Sequence, residues 1–244
     1  MSARLIAVGV GPGDPELITL KGVRLLREAD IVLTPVGDRS DTSIARTIVE
    51  AHLDPQRQQI RTQISPMTAD RNRLEDIWRK AAEDVGNWID QGRTVAFVTL
   101  GDPCLYSTFL HLWAALQRGK RQVEVEIVPG VNSFTAAAAL AGVPLGLFED
   151  RLAVLPSTAD ETQLMRALGE FETVVLMKVN RHFDRIRRLL ERTGRTSGAV
   201  YVKRAGLSGQ AVLTDLDAVD EQDLDYLSLV IVGRGGNFAE ASHG

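Results

Sequence analysis

At 244 residues, 44% apolar and 25% charged, the chain has the make-up of a soluble globular protein with room for one large domain or two small ones. A formal charge of −4 offers no extended basic footprint for nucleic acid, and a single cysteine, Cys104, excludes an intramolecular disulfide or a cysteine-cluster metal site. No apolar run approaches membrane-spanning length and no charged-then-apolar leader opens the sequence, so the expected location is the cytoplasm, with no membrane partner.

The first predicted strand covers residues 4–10 (RLIAVGV) and runs into a loop built from Gly9, Gly11, Pro12, Gly13, Asp14 and Pro15. Its glycines imitate the start of a dinucleotide-binding fingerprint. That fingerprint opens its helix at the third glycine, whereas Pro12, Asp14 and Pro15 delay the helix here to about Thr19, and no acidic residue closes the next strand at 30–35, so the dinucleotide reading is rejected. Thr19 is a good cap for a helix with Leu20, Val23 and Leu26 on one face. The polar stretch 37–42 (GDRSDT) suits a mouth loop, and 43–53 carries Ile44, Ile48 and Val49 at helical spacing. A strand at 59–64 precedes a long helix from Asp70, whose stripe of Leu74, Ile77, Trp78, Ala81, Val85, Trp88 and Ile89 has the period of a packed face and marks the tryptophans as core.

Residues 94–100 (TVAFVTL) form a short, uncharged, β-branched run, the pattern of a strand covered on both faces. Gly101, Asp102 and Pro103 follow, then a helix expected from Leu105 to Gln117 with Phe109, Leu112, Trp113 and Leu116 on its apolar side; His111 is assigned a structural place. The strand 123–128 breaks at Pro129-Gly130 and gives way to an alanine-rich helix over 134–140. Five β-α units of this kind predict a parallel sheet. After a connector at 140–147 the pattern changes: strands 152–155 and 173–178 alternate with helices 161–168 and 183–193, then strands 199–203, 210–213 and 228–232 follow with little helix between them, predicting a mixed sheet. Residues 235–244 are small and polar, as a frayed end would be. The expected fold is thus α/β in two domains. Residues 1–130 carry a parallel sheet with helices on both faces and 131–244 a mixed α+β sheet, with an alternative boundary near 145.

Three strands therefore end in Gly/Pro turns that each lead to a helix. Gly-Asp-Pro alone is an ordinary tight turn. Three such turns at the carboxyl ends of strands point to one shared cleft, because open α/β sheets bind ligands there. Gly101 lets the backbone approach a ligand, Asp102 can accept hydrogen bonds from it, and Pro103 fixes the exit.

Residues 9–32 (GVGPGDPELITLKGVRLLREADIV), 99–109 (TLGDPCLYSTF) and 127–145 (IVPGVNSFTAAAALAGVPL) resemble the tetrapyrrole (corrin/porphyrin) methylase family, and the similarity runs from about Leu5 to Arg234. Within it, Tyr106-Ser107-Thr108-Phe109 is similar to the branch that methylates C20 of precorrin-2; many relatives carry glycine after the aromatic residue. Asn132 departs from a frequent serine but can also cap a helix. The resemblance implies two lobes with a cleft between them that holds S-adenosylmethionine, contacted by Pro12, Leu100, Gly101, Asp102, Ser133, Phe134, Met177 and Ala205. Each also has a plain reading: Met177 as core filler, Ala205 as a small residue, Ser133 as a helix cap.

The implied reaction is methyl transfer to C20 of precorrin-2, giving precorrin-3A on the way to cobalamin, with cobalt-factor-2 or another corrin position such as C11 or C17 as alternatives. Tyr106 is the side chain placed nearest the reacting carbon, by packing or as a hydrogen-bond donor. The substrate's carboxylates call for cations near the mouth, with Lys21, Arg39, Arg46, Arg151, Arg181 and Arg204 as candidates. No metal site is expected, since any metal would arrive inside the substrate, and the resemblance implies a homodimer.

Overall fold

The computed structural model describes residues 2–37, 42–66, 70–119 and 121–233. The chain divides into two compact units, Met1–Asn132 and Ser133–Gly244.

The first unit holds a five-stranded sheet of β1 (Leu5–Gly9), β2 (Ile31–Val36), β3 (Gln59–Ile64), β4 (Val95–Thr99) and β5 (Val125–Val128), in the order β3-β2-β4-β1-β5. Every pairing is parallel. The central strands β1 and β4 are buried along their whole length because helices cover both faces, and their sequences accordingly read as unbroken apolar runs. On one face α1 (Leu20–Glu28) and α2 (Ile44–Val49) supply Leu25, Leu26, Ala45 and Ile48 against Ile6, Val8 and Val98. On the other, α3 (Arg71–Asp90) and α4 (Phe109–Arg118) bury Trp78, Val85, Phe109 and Leu112 against Leu5, Ala7 and Phe97. Trp78 is core, as its spacing predicts, and stacks on the His111 ring at 5.8 Å between centroids.

Two local expectations are corrected. The buried face of α1 is Gly22, Leu25 and Leu26, while Leu20 is 90% exposed. Thr19 caps this helix by accepting the Gly22 N–H, and Gly22 lets it approach the sheet so closely that a β-carbon there would lie 3.2 Å from Val8 Cγ1, turning Leu20 outward. The helix expected from Leu105 begins at Phe109. The Ser107 hydroxyl accepts the Phe109 N–H at 3.1 Å, and Tyr106 sits at φ +50°, which no helix tolerates.

The second unit opens with α5 (Ser133–Ala141) and continues through β6 (Leu152–Pro156), α6 (Glu161–Glu170), β7 (Thr173–Met177), α7 (Phe183–Thr193), β8 (Ala199–Lys203), β9 (Ala211–Leu213) and β10 (Ser228–Val232). The sheet order is β6-β7-β10-β8-β9. It is mixed as predicted: β6 and β7 are parallel, while β10 runs antiparallel to both β7 and β8. Leu164 and Leu168 of α6 and Ile186, Leu189 and Leu190 of α7 close one apolar core with Val174, Leu176, Tyr201 and Val230. The middle of the mouth loop (38–41), including Arg39, and the terminal stretch 235–244 lie outside the described residues.

Arg195 ties this unit together. Its guanidinium donates to the carbonyls of Leu168 (2.7 Å), Phe171 (3.2 Å), Glu172 (2.7 Å) and Gly233 (3.1 Å), and burial pushes its pKa down. Replacing Arg195 by Met keeps the apolar stem and strips those carbonyls of a donor, so the urea midpoint should fall by the equivalent of about 1–3 kcal/mol. An unchanged midpoint would contradict this role.

Candidate functional site

The site grows out of the register of three adjacent strands. Gly9 pairs with Thr99 across β1 and β4, and Val8 pairs with Val128 across β1 and β5, so the three following turns leave the sheet side by side. Beyond the parallel strands the chain reverses its pairing locally. Val10 N–H donates to the Thr99 carbonyl at 3.0 Å, and Gly101 N–H donates to the Gly11 carbonyl at 2.7 Å in an isolated antiparallel bridge. Gly11 (φ +81°) and Gly101 (φ +70°) adopt the left-handed conformation that glycine accepts without strain.

Backbones touch here with no side chain between them. A β-carbon on Gly9 would stand 2.6 Å from Gly130 N and 2.7 Å from the Gly101 oxygen, and one on Gly130 would collide with that same oxygen. The Asp102 carboxylate closes the arrangement: Oδ1 accepts Cys104 N–H at 2.8 Å within its own turn, and Oδ2 reaches across to accept Gly130 N–H at 2.9 Å. Buried Thr99 and Ser107 share a hydroxyl–hydroxyl hydrogen bond of 2.9 Å that fixes the following segment, leaving Tyr106 43% exposed. Pro12 is buried and Leu100 half-buried beside these turns. The first unit thus gathers Pro12, Leu100, Gly101, Asp102 and Tyr106 at the carboxyl edge of its sheet. The sequence places Gly9, Gly130, Thr99 and Ser107 within the turns expected to share a cleft but gives none of the four a role of its own; what it does not show is the backbone contact of Gly9 with Gly130 and the Thr99–Ser107 bond.

In the second unit, Met177 ends β7 and Ala205 lies two residues past β8. Met177 and Val202 both pair with Leu229 of β10, so β7 and β8 run the same way and their exits share one end of the sheet. There the Lys178 N–H donates to the Ser228 carbonyl and the Arg204 N–H to the Leu227 carbonyl, with left-handed backbones at φ +60° and +52° respectively. The Ser157 hydroxyl donates to the Lys178 carbonyl at 2.7 Å. Ser133 and Phe134 open α5.

The candidate cations differ in their commitments. Lys21 pairs with Glu126 at 2.7 Å, Arg204 with Asp225 at 3.1 Å and Arg151 with Glu172 at 3.1 Å, where the guanidinium holds the Glu172 carboxyl down at about 2. Arg46 and Arg181 are exposed and have no ion pair among the described residues. No cluster of three or more potential metal ligands occurs among the described residues, and no described helix is long and apolar enough to cross a membrane. Two surface cavities of about 760 and 590 Å³ share Leu116, Gly119 and Arg121 at the C-terminal end of α4, the edge of the unit opposite the glycine turns.

Two alanine substitutions separate contact from conformation. Gly130→Ala drives a methyl into backbone and should lower unfolding free energy by about 3 kcal/mol, the upper end for overpacking. At Gly101 the nearest neighbour of an added β-carbon is the Val131 oxygen at 4.0 Å, so only the left-handed backbone is penalised, by about 1 kcal/mol. Equal losses in denaturant titrations would contradict the close approach.

Comparison with known proteins agrees with this architecture. The family description Tetrapyrrole (Corrin/Porphyrin) Methylases matches residues 4–220. A cobalt-precorrin-2 C(20)-methyltransferase of Salmonella typhimurium is 37% identical over 241 residues, spanning 98% of this chain and 100% of its own. A precorrin-2 C(20)-methyltransferase of Sinorhizobium is 37% identical over 237 residues, with 94% of both chains covered. Among solved structures, a uroporphyrin-III C-methyltransferase from Thermus thermophilus in complex with S-adenosylhomocysteine superposes with a TM-score of 0.65 at 25% identity, covering 95% of this chain and 97% of that one. With one domain description covering most of its length and relatives that match it end to end, the chain belongs to the tetrapyrrole (corrin/porphyrin) methylases.

Proposed function

We propose that this protein transfers a methyl group from S-adenosylmethionine to C20 of precorrin-2, giving precorrin-3A in cobalamin biosynthesis. The observation that carries the reading is end-to-end similarity, at 37% identity, to two C20-methyltransferases, joined with the Gly101 turn, where the nearest atom to an added β-carbon is 4.0 Å away. The residues suit the donor: beyond Gly101 a β-carbon would find open space, so backbone rather than side chain lines that edge. Pro12, Leu100, Gly101 and Asp102 in the first unit, with Ser133, Phe134, Met177 and Ala205 in the second, are the residues we assign to holding or framing it.

Bound S-adenosylmethionine supplies an already activated methyl on its sulfonium, and the protein's part is alignment. Alignment is worth about 7–11 kcal/mol, against about 3–5 kcal/mol for a general acid or base, so no catalytic triad or carboxylate pair is required. Exposed Tyr106, held by the Thr99–Ser107 bond beneath it, is the side chain we place against the acceptor. Arg46 in the first turn of α2 and Arg181 just after β7 are the cations best fitted to the substrate's carboxylates, because Lys21, Arg151 and Arg204 already serve protein carboxylates. A homodimer in the cytoplasm accompanies this reading, and sedimentation analysis checks the subunit number.

The relatives' names divide between the cobalt-bearing and metal-free substrate, so both belong in the test. Incubating the protein with methyl-labelled S-adenosylmethionine and either precorrin-2 or cobalt-precorrin-2, then locating the label by NMR, should place the new methyl on C20. Label at C11 or C17, or no transfer to either substrate, would overturn the assignment.

A further inference from the structure

Single apolar side chains left in water are ordinary on a protein surface. In the first unit their placement is not scattered. Among its described residues four large ones are exposed: Leu20, Ile44, Ile64 and Tyr106. Leu20 opens α1 after β1, Ile44 opens α2 after β2, Ile64 closes β3, and Tyr106 stands in the turn after β4. All four therefore lie at the carboxyl end of the parallel sheet, the end at which such sheets receive ligands.

Ile44 and Ile64 stand apart from the glycine turns. Those turns leave β4, β1 and β5, whereas β2 and β3 make the other edge of the sheet. Three strand spacings, about 14 Å, separate β3 from β1. The register fixes which way both isoleucines face. Val32 belongs to the core beneath α1 and α2; Val36, four residues on, points to the same face, and Ile64 is its parallel partner. α2 packs on that face through Ala45 and Ile48. Buried Ser43 accepts the Arg46 N–H at 3.3 Å and so fixes the start of α2, while Ser65 N–H donates to the Val36 carbonyl at 2.8 Å and carries the ladder past Ile64. Two branched aliphatic side chains are thus held out on fixed backbone. Arg46, exposed and without an ion pair among the described residues, shares the first turn of α2 with Ile44.

An apolar surface beside an uncommitted cation suits a ligand that is apolar on its face and anionic at its edge. A tetrapyrrole is such a ligand, a ring with carboxylate side chains around it. Resting on the acceptor assignment made above, we propose that Ile44 and Ile64 form a shelf on which one face of the macrocycle lies, with Arg46 drawing in a peripheral carboxylate. This edge of the sheet then sets affinity for the acceptor and leaves the donor's affinity alone.

Serine at either position removes the apolar surface, and because both side chains are exposed the thermal midpoint should not move. We expect Ile44→Ser and Ile64→Ser each to raise the Michaelis constant for the tetrapyrrole about fivefold or more, using whichever of precorrin-2 and cobalt-precorrin-2 the wild type accepts. Turnover at saturation and the calorimetric affinity for S-adenosylhomocysteine should both stay within about twofold of the wild type. Ile64→Leu, which keeps the apolar surface, should restore the wild-type constant. The proposal fails if both serine variants leave the constant unchanged, or if affinity for the nucleoside falls in step with it, since the residues would then act through the donor's seat. It fails equally if the constant stays put while sedimentation shows a change of subunit number, because the shelf would then be a contact between copies of the chain. Wild-type protein that transfers no methyl to either tetrapyrrole would overturn the acceptor assignment itself, a result visible before any variant is compared.

Discussion

Three backbone turns in direct contact, with no side chain between them, are the constraint from which the rest of the first unit follows. Because β4, β1 and β5 lie side by side and parallel, their exits emerge together, and any β-carbon at Gly9 or Gly130 would force them apart. Backbone contact of this kind supplies almost no directional attraction, so hydrogen bonds must set the spacing. The Gly11–Gly101 bridge does this on one side and the Asp102–Gly130 bond on the other. The buried strands beneath are then a rigid base, and the edge they present is made of backbone.

Rigidity has a second source in hydroxyls. Thr99 and Ser107 bond to each other in the interior, delaying α4 until Phe109 and leaving Tyr106 in a left-handed turn. Non-glycine residues in that conformation persist only where their surroundings over-determine them. Lys178 and Arg204 in the second unit are held the same way, each by an N–H bond to a carbonyl at the start of β10. Of the four non-glycine residues with left-handed backbone among the described residues, three (Tyr106, Lys178 and Arg204) lie at or next to residues assigned to donor and acceptor, and the fourth, Phe148, lies on the exposed connector. For a reaction in which alignment contributes most of the acceleration, fixed backbone is the appropriate investment.

Much of this was legible in the residues. The apolar run of β4, the Trp78 stripe of α3 and the change from parallel to mixed pattern after the 140–147 connector all appear in the structure, because burial on both faces or on one stripe leaves a periodic trace. The Gly/Pro turns were visible too, and so was their likeness to one another. What could not be read were the contacts across strands. Nothing in the sequence places Gly9 against Gly130, or directs one oxygen of Asp102 over β1, since these depend on strand order. Leu20 misled because an apolar residue at the first position of a helix fits its period whether or not the helix turns it inward. Leu105 misled because helix propensity is blind to a buried serine that captures the Phe109 N–H.

The central claim is that these converging turns form the seat of an S-adenosyl nucleoside. Backbone amide chemical shifts, followed while S-adenosylhomocysteine is added to the full chain, test it most directly. The account predicts that the largest changes fall on Gly11, Gly101, Gly130 and their immediate neighbours in the first unit. Changes confined instead to the cavity lining around Leu116, Gly119 and Arg121, with the glycine amides unmoved, would contradict it.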